Sequence, residues 1–267
     1  MVVKDYIRDR FFPHIWCSGC GHGTVMGSMI RAIDNIGLQK NDVVIVSGIG
    51  CSSRISGYLD FHTLHTIHGR ALPFATGLKL SRPELTLIVP MGDGDALAIG
   101  GNHLIHAARR NIDITAIIMN NNVYGMTGGQ HSPTTRYHDF TTTAPYGNID
   151  RPFDVVKLTM GAGASFIART TTYHVTSLIT ILEKAITHQG FSVVEVLSQC
   201  PTYSGQMTGF ASAVDMLNHY KTCTIPIGSK KRETNPDLIE IGIFRQEEQP
   251  EYCAEYDQII EKASGGS

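Results

Sequence analysis

Cys17 and Cys20 form a Cys-x-x-Cys pair. Cys51 and Cys200 each follow a short apolar run that reads as a strand, and a third such run feeds Gly92-Asp93-Gly94. In a parallel sheet the carboxyl ends of such strands share one rim, where ligands bind. Thiolates hold soft metals and iron–sulfur clusters. A Gly-Asp-Gly turn that opens a helix suits a phosphate held through a cation. Both features on one rim imply a cofactor reaction that passes electrons to a metal centre.

Each part has a physical reason. Glycine lets backbone approach a ligand closely, and the helix after Gly92-Asp93-Gly94-Asp95 presents free N–H groups to an anion. A carboxylate there would repel phosphate unless a cation bridged them, so Asp93 fits a Mg²⁺ ligand. The next strand ends at Asn120-Asn121-Asn122-Val123-Tyr124-Gly125. One amide oxygen and one loop carbonyl from this stretch can complete the oxygen shell. A lone Gly-Asp-Gly is an ordinary turn; followed by a helix, a strand and Asn-Asn, it is far more specific.

Cys-x-x-Cys alone fits a zinc knuckle, a redox disulfide, an iron–sulfur ligand pair or two buried thiols. Cys51 and Cys200 at strand ends raise the weight of the cluster reading, since four thiolates can hold a [4Fe–4S] cluster. Cys223 and Cys253 fall in the peripheral tail and read as surface or packing thiols. His62, His65 and His68 are spaced by three, but in a strand His65 points away from the other two. His68, before Gly69, reads as a donor to phosphate. His22 lies near the cofactor or on a solvated loop, and His103 and His106 read as outward or packing groups on a helix. Arg54, three positions after Cys51, can pair with a substrate carboxylate in bidentate fashion; a structural ion pair is the alternative. Lys230-Lys231-Arg232 reads as a solvated loop or a docking patch for an acidic partner.

The elements that must position these groups follow from periodicity. Helices are predicted from about Gly23 to Ile36, Ala71 to Leu80, Asp95 to Arg110 and near Tyr173 to His188. Strands are predicted at Asp42–Ser47, Leu64–Ile67, Leu85–Met91, Ile114–Met119, Ala164–Ala168 and Ser192–Leu197. Alternating short apolar strands and helices give an α/β fold with a mostly parallel sheet flanked by helices, an irregular N-terminal arm and a C-terminal tail. Residues 1–210 read as the main domain. Residues 211–267, charged and with little periodicity, read as a tail packing on the core or on a partner.

The 267 residues are 42% apolar and 17% charged with a net charge of −2, ordinary for a globular protein with a sizeable core. That charge gives no reason to expect nucleic acid, and no apolar run is long enough for a membrane span. The N-terminus carries no signal-like segment, so the cytoplasm is the expected compartment and the cysteines are expected as thiols or ligands.

The Gly-Asp-Gly and Asn-Asn pair resembles the diphosphate motif of thiamine-pyrophosphate-dependent enzymes. The segments Trp16-Cys-Ser-Gly-Cys-Gly-His22, Gly48-Ile-Gly-Cys-Ser-Ser-Arg54, His68–Gly77, Gly92–Asp95, Thr127-Gly-Gly-Gln130 and Cys200-Pro-Thr-Tyr203 occur in this order. Together they resemble the β subunit of a 2-oxoacid:ferredoxin oxidoreductase, in the branch acting on 2-oxoglutarate or a broad range of 2-oxoacids. The likeness covers roughly residues 10–210.

The resemblance implies a site. Cys17, Cys20, Cys51 and Cys200 would hold a [4Fe–4S] cluster. Asp93, the Asn121 side chain and the Val123 carbonyl would hold Mg²⁺. Ile49, Gly50, Cys51, Ser52, His68, Gly94, Asp95, Gly125 and Met126 would contact thiamine pyrophosphate, and residues 1–210 would be the thiamine and cluster domain. It implies CoA-dependent oxidative decarboxylation of a 2-oxoacid with electrons passed to ferredoxin; Arg54, read from its place on the rim, is the catalytic-site candidate from this chain. It also implies a separate α subunit carrying the pyrimidine-binding domain, since the glutamate that activates the cofactor is in no recognisable motif here. The expected assembly is (αβ)₂. The competing readings are a non-oxidative thiamine-dependent decarboxylase with structural zinc and a non-catalytic electron-transfer subunit.

Overall fold

Strands buried at nearly every position need cover on both faces, and five strands here are of that kind. The computed structural model describes residues 3–265. After two 3-10 turns the elements run α1 (His22–Asn35), β1 (Val43–Ser47), α2 (Ile55–Tyr58), β2 (His62–His65), α3 (Ala71–Ser81), β3 (Thr86–Gly92), α4 (Asp93–Leu97), α5 (Gly101–Arg110), β4 (Ile114–Asn120), β5 (Val123–Tyr124), β6 (Gln130–His131), α6 (Val155–Ala162), β7 (Phe166–Thr171), α7 (Val175–Thr187), β8 (Phe191–Leu197), α8 (Ala213–Cys223), β9 (Thr224–Pro226), α9 (Lys231–Thr234), β10 (Ile239–Gln246) and α10 (Tyr252–Ala263). Eight strands form one sheet in the order β2-β1-β3-β4-β8-β7-β10-β9, and β5 and β6 form a separate hairpin. The six strands from β2 to β7 pair in parallel, and β10 joins β7 antiparallel.

Side chains alternate between two cores. Val43, Ile45, Ile88, Ile117, Met119, Phe166, Val194 and Val196 face one side, where α1 and α7 supply Val25, Met29, Ile33, Leu178 and Leu182. Val44, Val46, Leu87, Val89, Ile118, Ile167 and Val193 face the other, against Leu72, Ala75, Leu104, Ala108 and Val155 of α3, α5 and α6. Each such aliphatic side chain contributes about 1.5–3 kcal/mol by leaving water, so the sheet is a rigid platform for its carboxyl-end rim.

Chain order reverses at β1. The chain goes from β1 outward to β2, then crosses to β3 on the other side of β1. A crevice therefore opens beyond the ends of β1 and β3, the position where open α/β sheets bind ligands. The loop after Ser47 and the start of α4 after Gly92 flank it.

The helix expected from Asp95 to Arg110 is two. Backbone helicity breaks at Ala98, whose φ of −84° and ψ of −102° are non-helical, and resumes at Gly101. The cause lies elsewhere in the chain. The His68-Gly69 loop crosses the break so closely that a Cβ on Gly69 would sit 2.7 Å from Gly100 N. The break frees α4 to point its N-terminus at the crevice.

The stretch after residue 210 contributes β9, β10 and three helices. Glu251 caps α10 by accepting from Ala254 N (2.9 Å), and its other oxygen accepts from Asp113 N at the start of β4 (3.0 Å). Cys253 is buried in the second core. No helix among the described residues is long and apolar enough to cross a membrane.

Candidate cofactor site and thiol cluster

The N-terminal arm reaches the rim through three contacts. Trp16 Nε1 donates to the Cys51 carbonyl (2.7 Å) while its ring packs edge-on against Tyr58, 4.9 Å between centroids. Gly21 N donates to Gln199 O (3.2 Å) at the end of β8. A Cβ at Gly21 would lie 2.3 Å from Ser198 Oγ, so the arm docks only because that residue is glycine. These contacts carry Cys17 and Cys20 to Cys51, after β1, and to Cys200, after β8.

The four thiols share one neighbourhood. Burial pushes the Cys20 thiol up to about 12, reinforced by charge on Cys200, Cys51 and Cys17 and opposed by the His22 N–H. Burial likewise pushes Cys51 up to about 11, with Cys200 and Cys17 adding to it and Arg54 opposing. Burial also raises Cys200, against N–H groups of Tyr203, Ser204 and Thr202 in the π-helical turn Pro201–Gly205. Three of the four thiols are half-buried and Cys17 is exposed; thiols that repel one another as thiolates are a donor set that needs a thiophilic cationic group to ionise together, so their chemistry fits an iron–sulfur cluster. Among the described residues no three His, Cys, Asp or Glu side chains are grouped tightly enough to hold a single metal ion. Cys253 lies across the sheet in the second core, and Cys223 ends α8.

Beside the thiols lies a cleft. Ile49, Gly50, Cys51, Ser52, His68, Asp93, Gly94, Asp95, Asn121, Val123, Gly125 and Met126 all line it. Cys17, Cys20, Cys200 and Arg54 do not, but a Cβ at Gly125 would lie 3.5 Å from Cys200 Sγ, so cleft and thiols adjoin. His22, Gly92, Tyr124 and Thr127 complete the lining. His22 is the first residue of α1 and only 1% exposed; burial lowers its imidazole to about 4, and its Nδ1 has no hydrogen-bond partner. Its position one residue after the Cys-x-x-Cys-Gly turn was the signal for it. His62 and His65 sit exposed on edge strand β2, and His106 is exposed on α5.

Asp93 and Asp95 open α4, where the helix end favours negative charge. Asp93 is 2% exposed. Its Oδ2 accepts from Ser132 Oγ and from Thr134 Oγ1 (2.6 Å). Burial raises its pKa, opposed by these hydroxyls and by the Asn121 N–H, and no cationic side chain among the described residues pairs with it. A buried carboxylate without a cation fits a metal ligand. Asp95 Oδ1 accepts from Gly69 N (2.7 Å) and lies 2.6 Å from His68 Nδ1. Asp95 Oδ2 is buried with no partner, and burial outweighs Gly69 and His68, so the pKa of Asp95 is raised.

Ser132 and Thr134 were not among the residues singled out in the sequence. They come from the long loop after β6, held by Asn148, whose Nδ2 donates to Thr135 O (2.9 Å) and Asp150 O (3.1 Å). Hydroxyl residues in a loop give no periodic signal.

Gly48 shows how tight the cradle is. A Cβ there would stand 2.1 Å from Asp95 Oδ2 and 2.8 Å from its Cγ. Asp95 is tied to Gly69 and cannot move aside cheaply. Gly48→Ala is therefore expected to cost about 1–3 kcal/mol in stability through overpacking and to abolish thiamine pyrophosphate binding. Calorimetric titration of the cofactor into the variant checks this; near-normal affinity would mean that Asp95 lies outside the binding surface.

The comparisons agree with this geometry. Residues 48–196 match the family model "Thiamine pyrophosphate enzyme, C-terminal TPP binding domain". The chain is 49% identical to the 2-oxoglutarate synthase subunit KorB of Archaeoglobus fulgidus, over 96% of this chain and 93% of that protein. It is 47% identical to the KorB of Methanocaldococcus jannaschii, over 96% of each. It superposes with a TM-score of 0.89 and 32% identity on a chain of the 2-oxoglutarate:ferredoxin oxidoreductase from Magnetococcus marinus solved with 2-oxoglutarate, coenzyme A and succinyl-CoA, covering 100% of this chain and 92% of that one. By the crevice at the reversal of strand order, the cradle around Asp93 and these relatives, the chain belongs to the thiamine-pyrophosphate-dependent 2-oxoacid:ferredoxin oxidoreductases, as a β subunit of the 2-oxoglutarate synthase type.

Proposed function

We propose that this chain, with a cognate α subunit, carries out CoA-dependent oxidative decarboxylation of 2-oxoglutarate and passes the electrons through a [4Fe–4S] cluster of its own to ferredoxin. The adjacency of cleft and thiols carries this reading: Cys51 belongs to both, and Gly125 of the cleft lies against Cys200. When bound, the thiamine cofactor would supply an electron sink for decarboxylation, and the cluster would supply a one-electron acceptor beside it.

This chain's residues bind and orient. Asp93, the Asn121 side chain and the Val123 carbonyl are assigned as Mg²⁺ ligands, and α4 offers its N-terminus to the diphosphate. Asp95 holds His68 through Nδ1, leaving Nε2 as the free ring nitrogen. Ile49, Gly50, Ser52, Gly94, Gly125 and Met126 shape the walls. Cys17, Cys20, Cys51 and Cys200 are assigned to the cluster. Arg54 is exposed and its charge reaches Cys51; its guanidinium suits the distal carboxylate of a dicarboxylic 2-oxoacid. The pyrimidine-activating carboxylate is assigned to the α subunit, the assembly to (αβ)₂ and the compartment to the cytoplasm.

Metal analysis of protein purified without oxygen tests the reading. About four iron and four acid-labile sulfide per chain are expected. Stoichiometric zinc without sulfide would overturn the electron route and leave a non-oxidative thiamine enzyme.

A further inference from the structure

Glu195 is an anomaly. It sits mid-strand in β8 among Val193, Val194 and Val196, and is 2% exposed. A buried ion pair contributes little net stability, because desolvation offsets its attraction. Its neighbours suggest another use. Arg169, its register partner on β7, donates from Nε to Glu195 Oε2 (2.5 Å) and from Nη2 to Asp154 Oδ1 (2.6 Å). Asp154 in turn caps α6 by accepting from Val156 N (3.1 Å). The arginine fork is thus clamped at both prongs, and one face of the Glu195 carboxylate is fixed.

The other face reaches the cofactor rim. Glu195 Oε1 accepts from Asn120 Nδ2 (2.8 Å). A carboxylate only accepts, so it forces the amide to turn its NH₂ inward and its oxygen outward. That oxygen accepts from Asn122 N (3.1 Å) and lies 2.9 Å from Thr134 Oγ1. Asn122 N belongs to the loop that displays Asn121 and Val123. The single Thr134 hydroxyl proton is shared between the Asn120 amide oxygen and Asp93 Oδ2, which ties the two acceptors together.

We propose that Glu195 and Arg169 are positioning residues for the metal and diphosphate site: by fixing the Asn120 amide they hold the loop and the hydroxyl that set Asp93, Asn121 and Val123. This rests on the Mg²⁺ assignment made above. All three proposed ligands hang from one amide orientation, and that orientation is dictated from the far side of β4.

The test exploits the amide. In Glu195→Gln, the new side chain turns its oxygen to Arg169 and its NH₂ to Asn120. Asn120 must then flip, presenting NH₂ to Asn122 N. Mg²⁺-dependent affinity for thiamine diphosphate is expected to fall about tenfold or more, the range for partners that orient metal ligands. Asn120→Asp alone sets two carboxylates against each other and is expected to weaken binding as well. Combined, the two substitutions restore an acceptor facing Asn122 and Thr134, and affinity is expected to recover most of the loss. Calorimetric titration of thiamine diphosphate into the cofactor-free αβ complex, at several Mg²⁺ concentrations, reads this, with melting temperatures alongside. Losses that simply add in the double variant, or a lower melting temperature with unchanged affinity, would overturn the proposal. Should Asn120→Asp fail to fold, Thr134→Val replaces it: its loss must not add to that of Glu195→Gln if one chain of contacts carries both. Wild-type binding that ignores Mg²⁺ would remove the metal assignment itself, and the proposal with it.

Discussion

Asp93→Asn is expected to leave the cofactor-free protein as stable as before, or slightly more so, while weakening Mg²⁺–thiamine diphosphate binding by about a hundredfold or more. The opposite signs follow from one fact. Burial disfavours the Asp93 carboxylate, and the Ser132 and Thr134 hydroxyls and the Asn121 N–H only partly offset that cost. A carboxylic acid whose pKa rises on folding is less at ease ionised in the folded chain than in the unfolded one, so at neutral pH its charge subtracts stability. An amide of the same shape removes that charge and keeps an acceptor for the two hydroxyls. The metal, however, loses its anionic ligand, and the diphosphate beside α4 loses the cation that reconciles it with the acidic turn. Thermal melts with and without cofactor, together with calorimetric titration, separate the two effects. Binding within a few fold of wild type would show that Asp93 is not the metal ligand; a large drop in the cofactor-free melting temperature would show that its charge is structural.

The sheet was legible because its strands are buried on both faces. Val43–Ser47, Thr86–Gly92, Ile114–Asn120 and Phe191–Leu197 are uninterrupted or nearly so in apolar character, and each ends at the turn expected of it. The rim residues were legible for a related reason: they are punctuation after strands, where glycine, cysteine, aspartate and asparagine stand out. What stayed hidden depends on partners distant in the chain. The Ala98 break is imposed by Gly69 crossing Gly100. The fifth predicted strand, Ala164–Ala168, is displaced to Phe166–Thr171, where β8 and β10 pair with it. Edge strand β2 lies two residues earlier than its apolar centre, because pairing with Val44–Ser47 sets its limits. Strand β10 alternates apolar and polar residues, Ile-Glu-Ile-Gly-Ile-Phe-Arg-Gln, but charged segments on both sides masked it. Ser132, Thr134 and Glu195 had no signal except, for Glu195, a carboxylate in an otherwise apolar strand. They hold the groups that the motifs made visible, so the legible layer is the one that touches ligand and the illegible layer is the one that aims it.

Cysteine replacement separates the two halves of the rim. Cys200→Ser is expected to strip iron and sulfide from anaerobically purified protein and lower ferredoxin reduction by about a hundredfold, with thiamine diphosphate affinity near wild type. The reason is placement: Cys200 stands outside the cleft lining and takes N–H groups from the Pro201–Gly205 turn, not from the cofactor loops. Cys51→Ser is expected to damage both functions, since Cys51 is assigned to the cluster and also lines the cleft. Cys253→Ser is the control, buried in the core on the opposite side of the sheet, and should change neither iron content nor turnover. The measurements are iron, sulfide, cofactor affinity and acceptor reduction on the same preparations. Full iron in Cys200→Ser would remove that residue from the ligand set. Full acceptor reduction after iron loss would mean that electrons leave the cleft by another path, and the adjacency of thiols and cleft would lose its functional meaning.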